Sequence, residues 1–431
     1  MLNKISCPGR HRVSGAPAGW DAEVVGRLAR AAADDDRAVI FVGRDDRRVR
    51  ALAGALSFFA PQTEQVSFPA WDCLPYDRLP PHADIAGRRV EALARLLRAP
   101  SGDGGRVILT TVAAASQIVP PRDFFRDACL EVLSGGRLDP ADLIKFLAAN
   151  GYARVAMVME PGEYAVRGGI IDVFAPGSGS PARLDFLADQ VEALRLFDPE
   201  SQRTTGETAA LRLRPVSEVL LNAATIERFR TRYRELFGSG EKDPLYEAVS
   251  NGRRLPGMEH WLPLFHQNTE TIFDYAAGAT VVLDIRADEA LEARLDMIAE
   301  YYAARLEVMD RVGNKAGGGV GGDPYRPLPP ERLYLDRAAW DSLLVDISAR
   351  RGVIEMTSFG SPPQLAAGTA TTIDLAMDLG GRPGPDFALA RVTPELNLFD
   401  ALAERIGEQQ KAGLRVVVAG VSEGSLDRLA G

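Results

Sequence analysis

Cysteine is scarce in this chain of 431 residues: Cys7, Cys73 and Cys129 are the only three. They are widely spaced and odd in number, form no paired motif, and the four histidines do not cluster with them. That pattern encodes neither a disulfide framework nor a zinc site. No apolar run approaches the roughly 20 residues that span a bilayer. The opening MLNKISCPGRHRV lacks the apolar centre of a secretion signal. A cytoplasmic chain with no membrane partner is expected. Positive charge is not in excess either: the formal net charge is −9. The chain as a whole is therefore no nucleic-acid sleeve, which leaves only a local basic patch open.

A phosphate-binding loop is also missing. It needs two glycines spaced by four residues, then a lysine for the phosphate charge and a hydroxyl for Mg²⁺. At the corresponding turn stand Ser14-Gly15-Ala16-Pro17-Ala18-Gly19-Trp20-Asp21. The glycines are too close together, Trp20 occupies the lysine position and Asp21 repels phosphate. Pro17 removes a backbone donor. The apolar run at 280–283 ends on Asp284, but Ile285-Arg286 follows instead of a glutamate that could activate water. No catalytic residue, cofactor-binding residue or metal ligand is expected.

What is present is the composition of an ordinary globular protein, 46% hydrophobic and 25% charged, long enough for about two to four domains. Residues 21–33, 45–59 and 85–98 carry helical periodicity. Runs at 37–42, 65–68 and 106–110 read as buried strands. Strands alternating with helices imply a parallel, doubly wound α/β sheet.

Residues 159–204 have a different texture. Gly168-Gly169 opens a short alternating run, a Pro/Gly/Ser turn comes next at 176–181, and two more alternating runs occupy 183–187 and 191–197. This is a compact meander. Leu184 and Phe186 point inward, while Arg183, Asp185 and Leu187 share the other face. Arg167 and Arg183 are expected to be presented outward on a platform. Glu163, Asp172 and Asp189 read as turn-makers or ion-pair partners. Arg195 and Arg203 read as solvated charges. A helix at 139–150, with Asp139 capping before Pro140 and Gly151 closing it, lies upstream.

The block 68–89, FPAWDCLPYDRLPPHADIAGRR, contributes Trp71, Leu74, Pro75 and Tyr76 as a stiff apolar loop. His82 stands near Asp77 and Asp84, but no further ligand or nucleophile accompanies it. The block is read as structural, with Asp84 capping the next helix. His260 and His266 have no partner set and are read as packing residues.

The segment EPGEYAVRGGIIDVFAPGSGSPARLDFLADQVEALRLFDPESQRT resembles the stretch shared by UvrB and the transcription-repair coupling factors (the Mfd family). Block 68–89 and the stretch LPGMEHW at 255–261 are similar to further stretches of the coupling factors, in the expected order. The missing phosphate loop and the short passage between Tyr76 and Asp84 favour the coupling factors over UvrB, which has an intact loop and a long DNA-clamping hairpin. The resemblance implies a degenerate RecA-like domain 1 split as 1–118 and 201–313. It implies an inserted α+β domain 2 of UvrB type at 119–200 that binds UvrA. By the same resemblance, the UvrA-binding residues are Arg167, Arg183 and Leu187, the last in place of a commoner aromatic.

The glycine- and proline-rich segment 314–330 reads as a linker into a third, small α/β domain at 331–431. Its strands are expected at 352–356 and 414–418, and its last helix stops after two turns, as a truncated domain would. In whole family members an RNA-polymerase-binding domain and a DNA translocase using ATP and Mg²⁺ would come after it. The reading is thus a monomeric adaptor with UvrA as direct partner, and RNA polymerase and DNA as partners of the missing part. The alternative is a UvrB-like damage-binding or helicase-like ATPase with divergent loops.

Overall fold

A computed structural model describes residues 7–77, 79–100, 103–126, 128–240, 243–314, 325–357, 373–382, 387, 397–418, 422, 424, 426 and 427. The chain divides into two compact units, 1–380 and 381–431.

The first unit is built on a parallel sheet of seven strands. Their spatial order is Leu375–Asp378, Gly9–Ser14, Gly352–Met356, Thr280–Leu283, Ala38–Gly43, Arg106–Thr111 and Glu64–Phe68. The central runs AVIFVG, RVILTT and TVVL are almost wholly buried, as strands covered on both faces must be. Alternation divides their side chains. Val39, Phe41, Val107, Leu109 and Val282 pack under the helices Trp20–Ala33 and Asp46–Phe59. Ile40, Val42, Ile108 and Val281 pack on the other face with the helix Ala83–Leu96 and Trp340.

Three strands of this sheet are not placed in it by the sequence pattern. Gly9–Ser14 is a strand that its polar sequence GRHRVS concealed. Gly352–Met356, expected to belong to a separate third domain at 331–431, lies inside this sheet between Gly9–Ser14 and Thr280–Leu283. Leu375–Asp378 extends the same sheet. Parallel strands are joined by long connections, so distance along the chain does not reveal which neighbour a strand takes. Much of the glycine/proline segment, 315–324, lies outside the described residues. Its proline-rich end packs closely: Leu328 is buried, as are Leu333 and Tyr334 just after it, and Tyr325 lies 4.8 Å from the ring of Trp261. The helix Ala83–Leu96 is capped by His82 rather than Asp84, with His82 Nδ1 accepting from the Asp84 N–H at 3.3 Å.

The inserted module carries a six-stranded sheet ordered Thr204–Glu207, Gln190–Phe197, Ala182–Leu187, Ile170–Val173, Glu163–Arg167 and Ala153–Arg154. A ladder of Leu130–Leu133 with Ala210–Leu213 closes it, so the module runs on past residue 200 by two strands. The helix Pro140–Ala149, capped by Asp139 as expected, covers one face through Leu143 and Leu147.

Two of the contacts that hold the module against the large sheet come from Gly87 and Arg89 of the helix Ala83–Leu96. Gly87 faces the turn Pro176-Gly177 so closely that a Cβ there would stand 2.9 Å from the Gly177 nitrogen. Arg89, fully buried, donates from Nε and Nη2 to Glu218 at 2.9 and 3.0 Å, and Trp71 Nε1 donates to the same carboxylate at 3.0 Å. The 68–89 block is thus a structural knot, in line with its sequence.

In the second unit a helix, Leu398–Lys411, is capped by the Asn397 side chain. Residues 414–418, expected as a strand, are irregular. Most of the expected terminal helix lies outside the described residues. Among the described residues, no helix is long and apolar enough to cross a membrane.

Candidate docking site

The meander forms as its alternation predicted. Glu163–Arg167 and Ile170–Val173 are joined by the two-residue turn Gly168-Gly169, whose first residue has φ +59°. Register then places Ala165 opposite Asp172, Asp172 opposite Arg183, and Arg183 opposite Arg195. A second row sets Arg167, Ile170, Asp185 and Ala193 side by side. These rows belong to the face opposite the buried set Ile171, Val173, Leu184, Val191 and Leu194.

Arg183 and Arg195 meet as like charges, which is unfavourable for directly opposed residues. Each is satisfied by its own carboxylate. Arg183 donates from Nε to Asp172 Oδ1 at 2.7 Å and from Nη2 to Oδ2 at 2.9 Å. Arg195 Nη1 lies 2.7 Å from Asp185. The simple reading of alternation sets Arg183 beside Asp185, and the register instead gives it to Asp172. The side chain of Asp172 is 1% exposed and that of Arg183 19%. Hydrogen bonding to Asp172 holds the Arg183 guanidinium above its ordinary pKa. The ring of Phe197, 4.8 Å away, supports it from below.

Arg167 is 47% exposed, with Nη1 4.0 Å from Asp172 Oδ2 and Nη2 donating to the Ala156 carbonyl at 2.8 Å. Leu187 is 63% exposed at the end of its strand. In the segment that follows Ala156, Met157 and Met159 are exposed too, a feature that alternation in the strands does not signal. The structure therefore brings Arg167 and Arg183 together around one carboxylate, with Leu187 on the same face. Among the described residues, no group of three or more potential ligands could hold a metal.

The turn after the first strand has its own geometry. Asp21 Oδ1 accepts from the Gly19 and Ala22 N–H groups at 2.9 and 2.8 Å, taking donors that a phosphate would use. Arg48 bridges the carboxylates of Asp21 and Asp284, its Nε 2.9 Å from Asp284, and burial holds the Asp284 pKa above its ordinary value. His260 and His266 are buried packing residues, as expected.

A sequence model described as the UvrB interaction domain matches residues 130–218, the module together with its buried anchor Glu218. The chain is also similar to transcription-repair-coupling factors. It is 32% identical over 333 residues to that of Haemophilus influenzae, covering 76% of this chain and 27% of the relative. It is 35% identical over 301 residues to that of Escherichia coli K12, covering 69% and 24%. It is 31% identical over 298 residues to that of Rickettsia bellii, covering 69% and 25%. The chain spans about a quarter of the length of these curated relatives.

Proposed function

We propose, for a chain that belongs to the family of the transcription-repair-coupling factors, that its UvrB interaction domain docks UvrA and so recruits it to stalled RNA polymerase. Arg167, Arg183 and Leu187 are the proposed contacts. The observation that carries this reading is the pair of guanidinium groups set on one face around Asp172, next to an exposed leucine. Planar guanidinium forks grip carboxylates with two bonds at once, and arginine is enriched among residues that dominate interfaces. RNA polymerase, DNA and an ATP- and Mg²⁺-using translocase are proposed as properties of the remaining length of such proteins. This region is proposed to work as a monomeric, cytoplasmic adaptor.

The same reading treats the turn at Gly19 as a site that holds no nucleotide. Its support is chemical: carboxylates and an arginine occupy the donors and the charge that a triphosphate would require. A heat of ATP binding at millimolar nucleotide, or Mg²⁺-dependent hydrolysis by this chain, would revive the ATPase alternative.

The docking site is tested by retention of UvrA on immobilised chain. Arg167→Ala removes a largely exposed contact, and loss of a central hot spot costs about 2 kcal/mol, roughly thirtyfold in affinity. Equal retention of UvrA by the wild type and by Arg183→Ala would defeat the assignment.

A further inference from the structure

Resting on that docking reading, we infer that Asp172 is the positioning residue of the face, and that the group it prepares the arginines to receive is an acidic side chain of the partner. The carboxylate lies in the middle strand of the meander, 1% exposed, so it offers almost no surface to a partner. Its effect runs through the two cations above it.

Arg183 commits one edge of its guanidinium, Nε and Nη2, to Asp172 at 2.7 and 2.9 Å. The plane is held over Phe197 at 4.8 Å. A guanidinium has five N–H donors, so the Nη1 end stays available for an incoming acceptor. Arg167 is tethered by Nη2 to the Ala156 carbonyl, and its Nη1 stops 4.0 Å from Asp172, beyond hydrogen-bond reach. Both long side chains are thus ordered before any partner arrives, which removes a cost that binding would otherwise carry. Two guanidinium groups against one carboxylate leave one positive charge uncompensated. A single acidic side chain fits it, and the exposed Leu187 and half-buried Ile170 supply apolar surface on the same face.

Positioning and simple charge make opposite predictions for Asp172→Asn. Removing a negative charge makes the face more positive. If net charge alone governed binding, an acidic partner would bind more tightly. If Asp172 acts by holding Arg183, binding weakens, and the loss falls on dissociation because steering of the encounter is preserved.

The experiment measures association and dissociation of purified UvrA with wild type, Asp172→Asn, Arg183→Ala and the double variant, each checked for an intact melting transition. Positioning predicts about tenfold faster dissociation for Asp172→Asn with association unchanged or faster, and a double variant no weaker than Arg183→Ala within about twofold. Affinity of Asp172→Asn equal to or above wild type, with Arg183→Ala still impaired, would overturn the inference and leave the docking face standing. Full affinity of Arg183→Ala would remove the docking assignment, and the inference with it. Should Asp172→Asn fail to fold, Phe197→Leu takes its place: it removes the supporting ring and leaves every charge. Faster dissociation supports positioning; an unchanged rate overturns it.

Discussion

Arg167 and Arg183 carry the same charge on the same face, yet their removal has different costs for folding. Arg183→Ala leaves the buried Asp172 with Arg167 at 4.0 Å as its nearest cation, and an unsatisfied buried acceptor costs about 1–3 kcal/mol. Arg167→Ala exposes no new buried group and should stay within about 0.5 kcal/mol of wild type. Denaturant midpoints of the two variants check the contrast. His266 gives a pH prediction. Burial pushes its pKa down to about 4, and Nε2 donates to the Glu218 carbonyl at 2.8 Å. The folded state keeps the ring neutral while the unfolded chain protonates it with an ordinary pKa near 6.5. Stability should therefore fall as pH drops from about 6.5 towards 4, by up to roughly 3 kcal/mol from this residue. His260, buried and lowered in the same direction, adds to the slope. Comparing His266→Gln with wild type across that range isolates the effect, and parallel curves would refute it. Period-two alternation was enough to put Arg183, Asp185 and Leu187 on one face. It could not show that Asp172 lies opposite Arg183, because that register depends on how the turn at 176–181 closes.

At the scale of elements, the decisive join is between the helix Ala83–Leu96 and the segment leaving the inserted module. Arg89 and Glu218 are both essentially unexposed, with Phe68 and Trp71 lying 4.3 and 5.5 Å from the guanidinium. Breaking a buried pair from one side strands a charge. Glu218→Ala should cost about 3–5 kcal/mol. Arg88→Ala, which loses only an exposed partner in Asp84, should cost under about 1 kcal/mol. Urea unfolding that gave similar losses for both variants would contradict the assignment of Arg89 and Glu218 as the join. Helix periodicity and the Asp139 cap were legible because they are local. The strand Gly9–Ser14 was not, since its buried residues, His11 and Val13, are interleaved with Arg10 and Arg12, whose partner Glu355 comes from far along the chain.

For the whole molecule, the glycine/proline segment was the most visible boundary and a misleading one. Chain composition marks where a connection is loose, but not whether the residues beyond it return to the same sheet. Here they do, through Gly352–Met356 and Leu375–Asp378. A fragment ending at residue 313 would leave Gly9–Ser14 without a sheet partner and open the flank of Thr280–Leu283. Such a fragment should aggregate or lose cooperative unfolding, because unpaired edges seek other chains, whereas 1–380 should unfold cooperatively. Circular dichroism melts and gel filtration of the two fragments would decide, and a monomeric, cooperative 1–313 would refute the prediction.

The two sheets differ in when a growing chain could complete them. The inserted module joins strands near one another in sequence, whereas Gly9–Ser14 bonds only to strands from 352 onward. At about 5–20 residues per second of synthesis, the opening strand waits on the order of tens of seconds on the ribosome for its neighbours. The arginine-bearing platform can be finished during that wait, so translation presents the proposed docking face before the body that carries it is closed.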